Sequence, residues 1–188
     1  HQSAPVRFAD WEYDKKARSW APVGQAVTDP FVVLVAYTEE QSDELAYGAL
    51  RVILELSDLA GDFDIGLERI LRKKGGGKAV SLASAPDSRD GARTTFQCFD
   101  ETHRFTLPRQ RAAHQTMMAN LPKRVISEAW SLEITTAPEP GAGSVAEATM
   151  DYAKSVIGGK TTDATMFFFH RQASDEHDLK TRDGVRAA

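Results

Sequence analysis

Seven consecutive apolar or aromatic residues, Phe31-Val32-Val33-Leu34-Val35-Ala36-Tyr37, run directly into Thr38-Glu39-Glu40-Gln41. No polar residue interrupts the run, so a strand built from it has no solvent face and must be covered on both sides, the habit of parallel sheets. The polar quartet is a capping box in which Thr38 caps a helix and Gln41 reaches back. Leu45, Ala49, Val52, Ile53 and Leu56 then recur at helical spacing. A strand that turns into a helix with almost no loop commits the chain to an α/β architecture.

The rest of the chain repeats that alternation. Leu67–Leu71 and Lys78–Ala83 flank Gly75-Gly76-Gly77 and read as a β-hairpin. A polar loop from Ser84 to Arg93 precedes a strand over Thr94–Phe99, and Leu107–Asn120 reads as a helix with Met117, Met118 and Leu121 on its packed side. Ser131–Thr136 is a further strand; Ser144-Val145-Ala146-Glu147 is a second capping box opening a helix to about Ile157; Met166–Phe169 reads as a last buried strand. Strand, helix, strand, helix, strand, helix, strand predicts a mostly parallel sheet flanked by helices, with right-handed crossovers and one small β-hairpin. Residues 1–30 carry Trp11, Tyr13 and Trp20 among breakers without a sustained period, which predicts an irregular arm or small flap. The α/β domain spans residues 31–170, and residues 171–188 read as a polar linker or tail.

Composition removes several function classes. The 188 residues carry a net charge of −4, so no global basic field draws in nucleic acid and any DNA contact is local. The single cysteine, Cys98, excludes an internal disulfide framework and falls in a buried strand, where thiols are inert core residues. No apolar run approaches the roughly twenty residues of a membrane-spanning helix, and no secretory signal pattern is present. A reducing, aqueous compartment is expected.

Chemistry gathers at the strand ends. In open parallel sheets, ligands bind beyond the carboxyl ends of the strands. Three polar clusters fall there: Thr38-Glu39-Glu40, Asp100-Glu101 and Thr135-Thr136. A short apolar strand ending in Asp-Glu places two carboxylates beside a nucleotide. Asp100 is suited to hold Mg²⁺ through its water shell, and Glu101 to polarise the attacking water. Continued strand geometry would point them to opposite sides. Thr135 and Thr136 offer hydroxyls that can sense the γ-phosphate or its water. Arg89, in the polar loop, can stabilise charge on a transferring phosphoryl from its own subunit or a neighbour. His103 can couple or cap, but no second ligand stands at metal-site spacing. Lys73-Lys74-Gly75-Gly76-Gly77-Lys78 imitates a phosphate loop, yet Arg72 and Ala79 occupy the positions that need Gly and Ser or Thr. No Walker A pattern occurs anywhere in the sequence.

Four stretches together resemble the ATPase domain of the large terminase subunit of tailed bacteriophages. Val33–Gln41 is similar to the strand and helix start that follow the P-loop helix. Ser88-Arg89-Asp90-Gly91 with Thr95–His103 resembles the arginine-bearing loop and Walker B strand. Glu133–Pro138 with Gly141–Glu147 resembles the coupling motif and its helix. Phe167–Arg171 resembles the strand leading to the nuclease domain. The likeness spans roughly residues 30–171. It implies an additional-strand P-loop NTPase core lacking its P-loop, with ATP and Mg²⁺ as cofactors of the intact protein. It makes Asp100 the Walker B aspartate, Glu101 the catalytic glutamate, Thr135-Thr136 the coupling pair and Arg89 the arginine finger. Double-stranded DNA, a portal protein, a small terminase subunit and a homo-oligomeric ring in the host cytoplasm are the implied partners and setting. The chain reads as a piece beginning after the P-loop helix and ending before the nuclease, so alone it is expected to be inactive. Two rivals stay open. Asp100-Glu101-Thr102-His103 with Thr135-Thr136-Ala137 fits a DExH-box helicase fragment, and a non-catalytic assembly module could retain the same sheet.

Overall fold

The computed structural model describes residues 6–37, 46–83, 93–174, 176–178 and 180–187. Its centre is a six-stranded sheet in the order β4-β5-β6-β3-β7-β8. β3 is Phe31–Ala36, β4 Phe63–Ile65, β5 Arg69–Arg72, β6 Lys78–Ala83, β7 Phe96–Asp100 and β8 Trp130–Ile134. The four strands β6, β3, β7 and β8 run parallel, while β4 and β5 attach antiparallel at one side. Helices α1 (Ala46–Glu55), α2 (Pro108–Asn120) and α3 (Val145–Ile157) supply the flanking layers. The predicted mostly parallel α/β sheet is what the chain forms.

The uninterrupted apolar run behaves as its composition demands, with Val33, Leu34, Val35 and Ala36 all buried. Successive side chains leave a strand on opposite faces. Val33, Val35 and Phe99 therefore pack on one side with Phe105, Met117 of α2 and Val145 of α3. Leu34 and Cys98 pack on the other with Tyr47 of α1 and Ile70. The Tyr47 hydroxyl donates to the Gly66 carbonyl at 2.9 Å, which satisfies the one polar atom of a fully buried ring. Burial pushes the Cys98 thiol up to about 11, with the Asp100 charge adding to it, so the thiol is protonated and inert.

The glycine run is a turn between β5 and β6, as expected. Gly75, Gly76 and Gly77 all have positive φ, and a Cβ on Gly77 would lie 2.7 Å from Cγ of Pro30. Gly77→Ala is expected to cost about 1–3 kcal/mol, read as a lower urea midpoint at unchanged slope.

Two expectations need correction, and one strand carried no sequence signal. Residues 6–26 are not an irregular arm: β1 (Val6–Asp14) and β2 (Ser19–Ala26) form an antiparallel hairpin. A register shift between Phe8 and Asp10 inserts one residue into β1. That shift breaks the two-residue alternation, which hid the strand, yet it brings the Phe8 and Trp11 rings together in a tilted contact with centroids 5.6 Å apart. The short strand β4, which no sequence signal marked, adds a third member to the β5–β6 hairpin. Met166–Phe169 forms no strand, with Phe167 89% and Phe169 71% exposed. An apolar run becomes a strand only where a sheet edge accepts it, and no described strand pairs with this one. Within the polar tail, Arg182–Ala187 forms a short helix, α4. The capping box at Thr38–Gln41 and the arginine loop at Ser88–Gly91 lie outside the described residues.

The second capping box forms with an added reach. Ser144 Oγ accepts the Glu147 N–H at 3.2 Å and caps α3. The Glu147 carboxylate accepts from the N–H groups of Gly141 and Gly143, pinning the loop that follows β8. Those bonds hold the Glu147 carboxyl below its ordinary range. A depressed folded value means its contribution is present above the unfolded value and fades as pH falls through the folded one. Glu147→Gln should therefore flatten the acid limb of a stability-versus-pH curve. Ser144→Ala should cost about 1 kcal/mol at all pH values.

Candidate functional site

β7 and β8 pair in parallel with Asp100 opposite Ile134, so both strands end at the same rim of the sheet. The Glu101 N–H donates to the Ile134 carbonyl at 2.8 Å, closing the ladder one residue beyond β7. There the strand geometry stops. Glu101 sits in the left-handed region with φ 60° and ψ 41°, and the chain enters a tight turn at Thr102–Arg104. The expected splaying of Asp100 and Glu101 by continued strand alternation is thus replaced by a backbone reversal. A non-glycine residue in that region costs roughly 1–2 kcal/mol, which neighbouring structure must offset.

The reversal brings His103 back over the end of β8. Its backbone N–H donates to Thr135 Oγ1 at 3.0 Å, and its ring Nδ1 lies 3.0 Å from the same oxygen and 3.2 Å from Thr136 Oγ1. On the far side of the ring, Nε2 stands 3.6 Å from Glu101 Oε2. Glu101, Thr135 and Thr136 are thus joined around one imidazole. His103 was legible only as a polar residue after an acidic pair, because its contact with Thr135 spans 32 positions. Arg89, the remaining catalytic candidate, lies outside the described residues.

Behind the rim a second cluster holds β8 in place. Glu133 accepts from His114 Nε2 of α2 at 3.0 Å and from the Thr149 hydroxyl of α3 at 3.0 Å. The His114 ring meets the edge of Phe99 with centroids 4.6 Å apart. One half-buried carboxylate therefore ties the threonine-bearing strand to both helices on that face. Sequence reasoning missed this role because nothing local separates Glu133 from any acidic strand residue.

Mg²⁺-ATP, the group that the sequence resemblance implies, can be tested against these residues. Burial raises the Asp100 carboxyl above its ordinary range; the Glu101 charge adds to this, and the Glu101 backbone N–H opposes it. A carboxylate short of hydration gains from a nearby cation, and hard oxygen donors suit Mg²⁺, which takes one or two carboxylates with water and phosphate oxygens. Among the described residues, no three His, Cys, Asp or Glu side chains form a ready metal cage. The Thr102 hydroxyl, one residue past Glu101, is buried without a hydrogen-bond partner among them. The acidic half of the site fits the group. The phosphate half does not come from the described residues, since their glycine run joins two strands instead of opening a helix.

Asp100 also carries a signed expectation. Its folded value lies above its unfolded one, so the native state binds more protons there and loses stability as pH rises through the raised value. Asp100→Asn should move the urea midpoint upward at neutral pH, and the gain should vanish in acid. A lowered midpoint would contradict the burial argument.

No known family model and no curated protein matches the sequence. Solved structures do. The HK97 bacteriophage large terminase is similar over 84% of this chain at a TM-score of 0.61 and 15% identity. The ATPase domain of the Thermus phage P74-26 large terminase aligns with 60% of this chain and 49% of that one, at a TM-score of 0.43 and 16% identity. The chain spans about a third of the HK97 protein, 32% of its length. Over 84% of its length the chain shares the fold of part of a phage large terminase.

Proposed function

We propose that this chain is part of the ATP-hydrolysing motor of a viral DNA-packaging terminase, the part that carries the acidic and coupling edge of the nucleotide site. One observation carries the reading. Two parallel strands deliver Asp100, Glu101, Thr135 and Thr136 to a single rim, on a fold shared with a phage large terminase.

In this reading Asp100 would hold Mg²⁺ through its water shell, and Glu101 accepts a hydrogen bond from the attacking water and aligns it. Bound Mg²⁺ would supply neutralisation of charge on the transferring phosphoryl. Thr135 and Thr136 register the state of that water through their hydroxyls and pass it along β8. Arg89 acts as the arginine finger, in its own subunit or on a ring neighbour. Double-stranded DNA is the translocated substrate, with the portal protein and a small terminase subunit as partners in the host cytoplasm. Among the described residues no helix is long and apolar enough to cross a membrane.

The test is ATP-dependent uptake of duplex DNA into procapsids by the complete protein, read as protection from nuclease. Absence of uptake with intact ATP binding would remove the motor reading. The isolated chain should bind ATP weakly or not at all, and micromolar affinity in a titration would contradict the absence of a phosphate loop from the described site. The DExH-helicase fragment is the rival reading. Strand separation by the complete protein would select it, whereas a packaging motor moves along duplex without separating strands.

A further inference from the structure

We propose that His103 is a positioning residue: it sets the carboxylate of Glu101 according to the state of the Thr135–Thr136 pair. The proposal rests on the reading of this rim as the catalytic edge, and it goes beyond that reading by naming the part that connects its two halves.

The chemistry of the ring follows from its neighbours. Nε2 faces Glu101 Oε2 at 3.6 Å, and an ionised carboxylate can only accept, so in the neutral ring Nε2 carries the proton. Nδ1 is then the acceptor. Thr135 Oγ1 already accepts the His103 N–H, which leaves its own proton free to donate to Nδ1. Thr136 Oγ1 reaches the same nitrogen at 3.2 Å. One lone pair therefore serves two hydroxyls, and the ring is held in plane by whichever threonine donates. A hydroxyl that turns away towards a ligand hands the lone pair to its neighbour or leaves it unfilled. Either change rotates the ring and moves Nε2 relative to Glu101.

The ring has little freedom to ignore such a change. Its backbone is tied to Thr135, and the tight turn at Thr102–Arg104 starts from a left-handed Glu101 and closes with the Arg104 N–H on the Glu101 carbonyl at 2.9 Å. The Glu101–His103 pair is partly exposed, so its value lies in geometry, since such pairs add little stability. That is the property a relay needs: two discrete settings with a small free-energy gap between them.

A double-mutant cycle on this chain tests the link without any nucleotide. The readout is the side-chain carboxyl ¹³C resonance of Glu101. Thr135→Val should displace that resonance when residue 103 is histidine, and the displacement should be lost in the His103→Ala background. His103→Asn guards against a folding failure: its side-chain oxygen can still accept from the threonines but cannot reach Glu101, so it too should lose the displacement. Backbone amide exchange at position 103 should quicken with Thr135→Val in every background, which checks that the Thr135 contact exists. An equal displacement with histidine, alanine and asparagine would overturn the proposal. In the complete motor the asparagine variant should lower kcat with KM for ATP unchanged. A motor whose turnover survives Glu101→Gln would sink the catalytic reading while leaving the cycle intact, so the two can fail separately.

Discussion

On the proposed function, Glu101→Gln is expected to lower ATP turnover of the complete motor by roughly 10²–10⁴-fold, the usual worth of a positioned general base. ATP affinity stays near its starting value, because size and hydrogen-bonding reach are kept while the charge is removed. The reason lies in placement. Glu101 is held by the last rung of the β7–β8 ladder, then turned by its left-handed backbone so that its side chain meets His103. A glutamine in the same seat keeps that backbone but cannot polarise water as an anion does. Single-turnover hydrolysis with nucleotide binding measured alongside is the appropriate pair of assays. Turnover retained within a few-fold would remove Glu101 from the proposed role.

Phe99→Ala costs about 3–5 kcal/mol, the range for a large aromatic truncated in a well-packed core. Phe99 is fully buried, packs with Val33, Val35, Phe105, Met117 and Val145, and presents its ring to His114. It is also the residue before Asp100. Its loss therefore loosens the strand end that carries the acidic pair, and urea unfolding should show a large fall in midpoint. Phe167→Ser is the control. That ring is 89% exposed, so its replacement should stay within about 0.5 kcal/mol. Equal losses at the two positions would mean that the assigned core is wrong.

Some of this was readable from residue order because it depends on short-range pattern. The buried strand β3 announces itself by having no polar position, the hairpin turn by its three glycines, and α3 by Ser144 three residues ahead of Glu147. The strand that ends at Asp100 was equally plain. Each signal is a local property of a few neighbouring residues, and local propensity agrees with the final packing at these points.

The hairpin at residues 6–26 and the unpaired Met166–Phe169 show where that agreement ends. In the first, one inserted residue erased the alternation that marks a strand. In the second, apolar residues at strand spacing found no paired edge among the described strands. Pairing is a property of two segments, so one segment read by itself cannot establish it.

By its residue order alone this protein settled that β3 and β7 are buried strands, that α3 is a capped helix, and that acids and hydroxyls follow β7 and β8. Only the tertiary structure decided that β8 lies beside β7, that Glu101 leaves the strand in a left-handed turn, and that His103 therefore closes on Thr135 and Thr136. Burial preference is written residue by residue, whereas a contact across 32 positions exists only once parallel pairing has brought two strand ends to one rim.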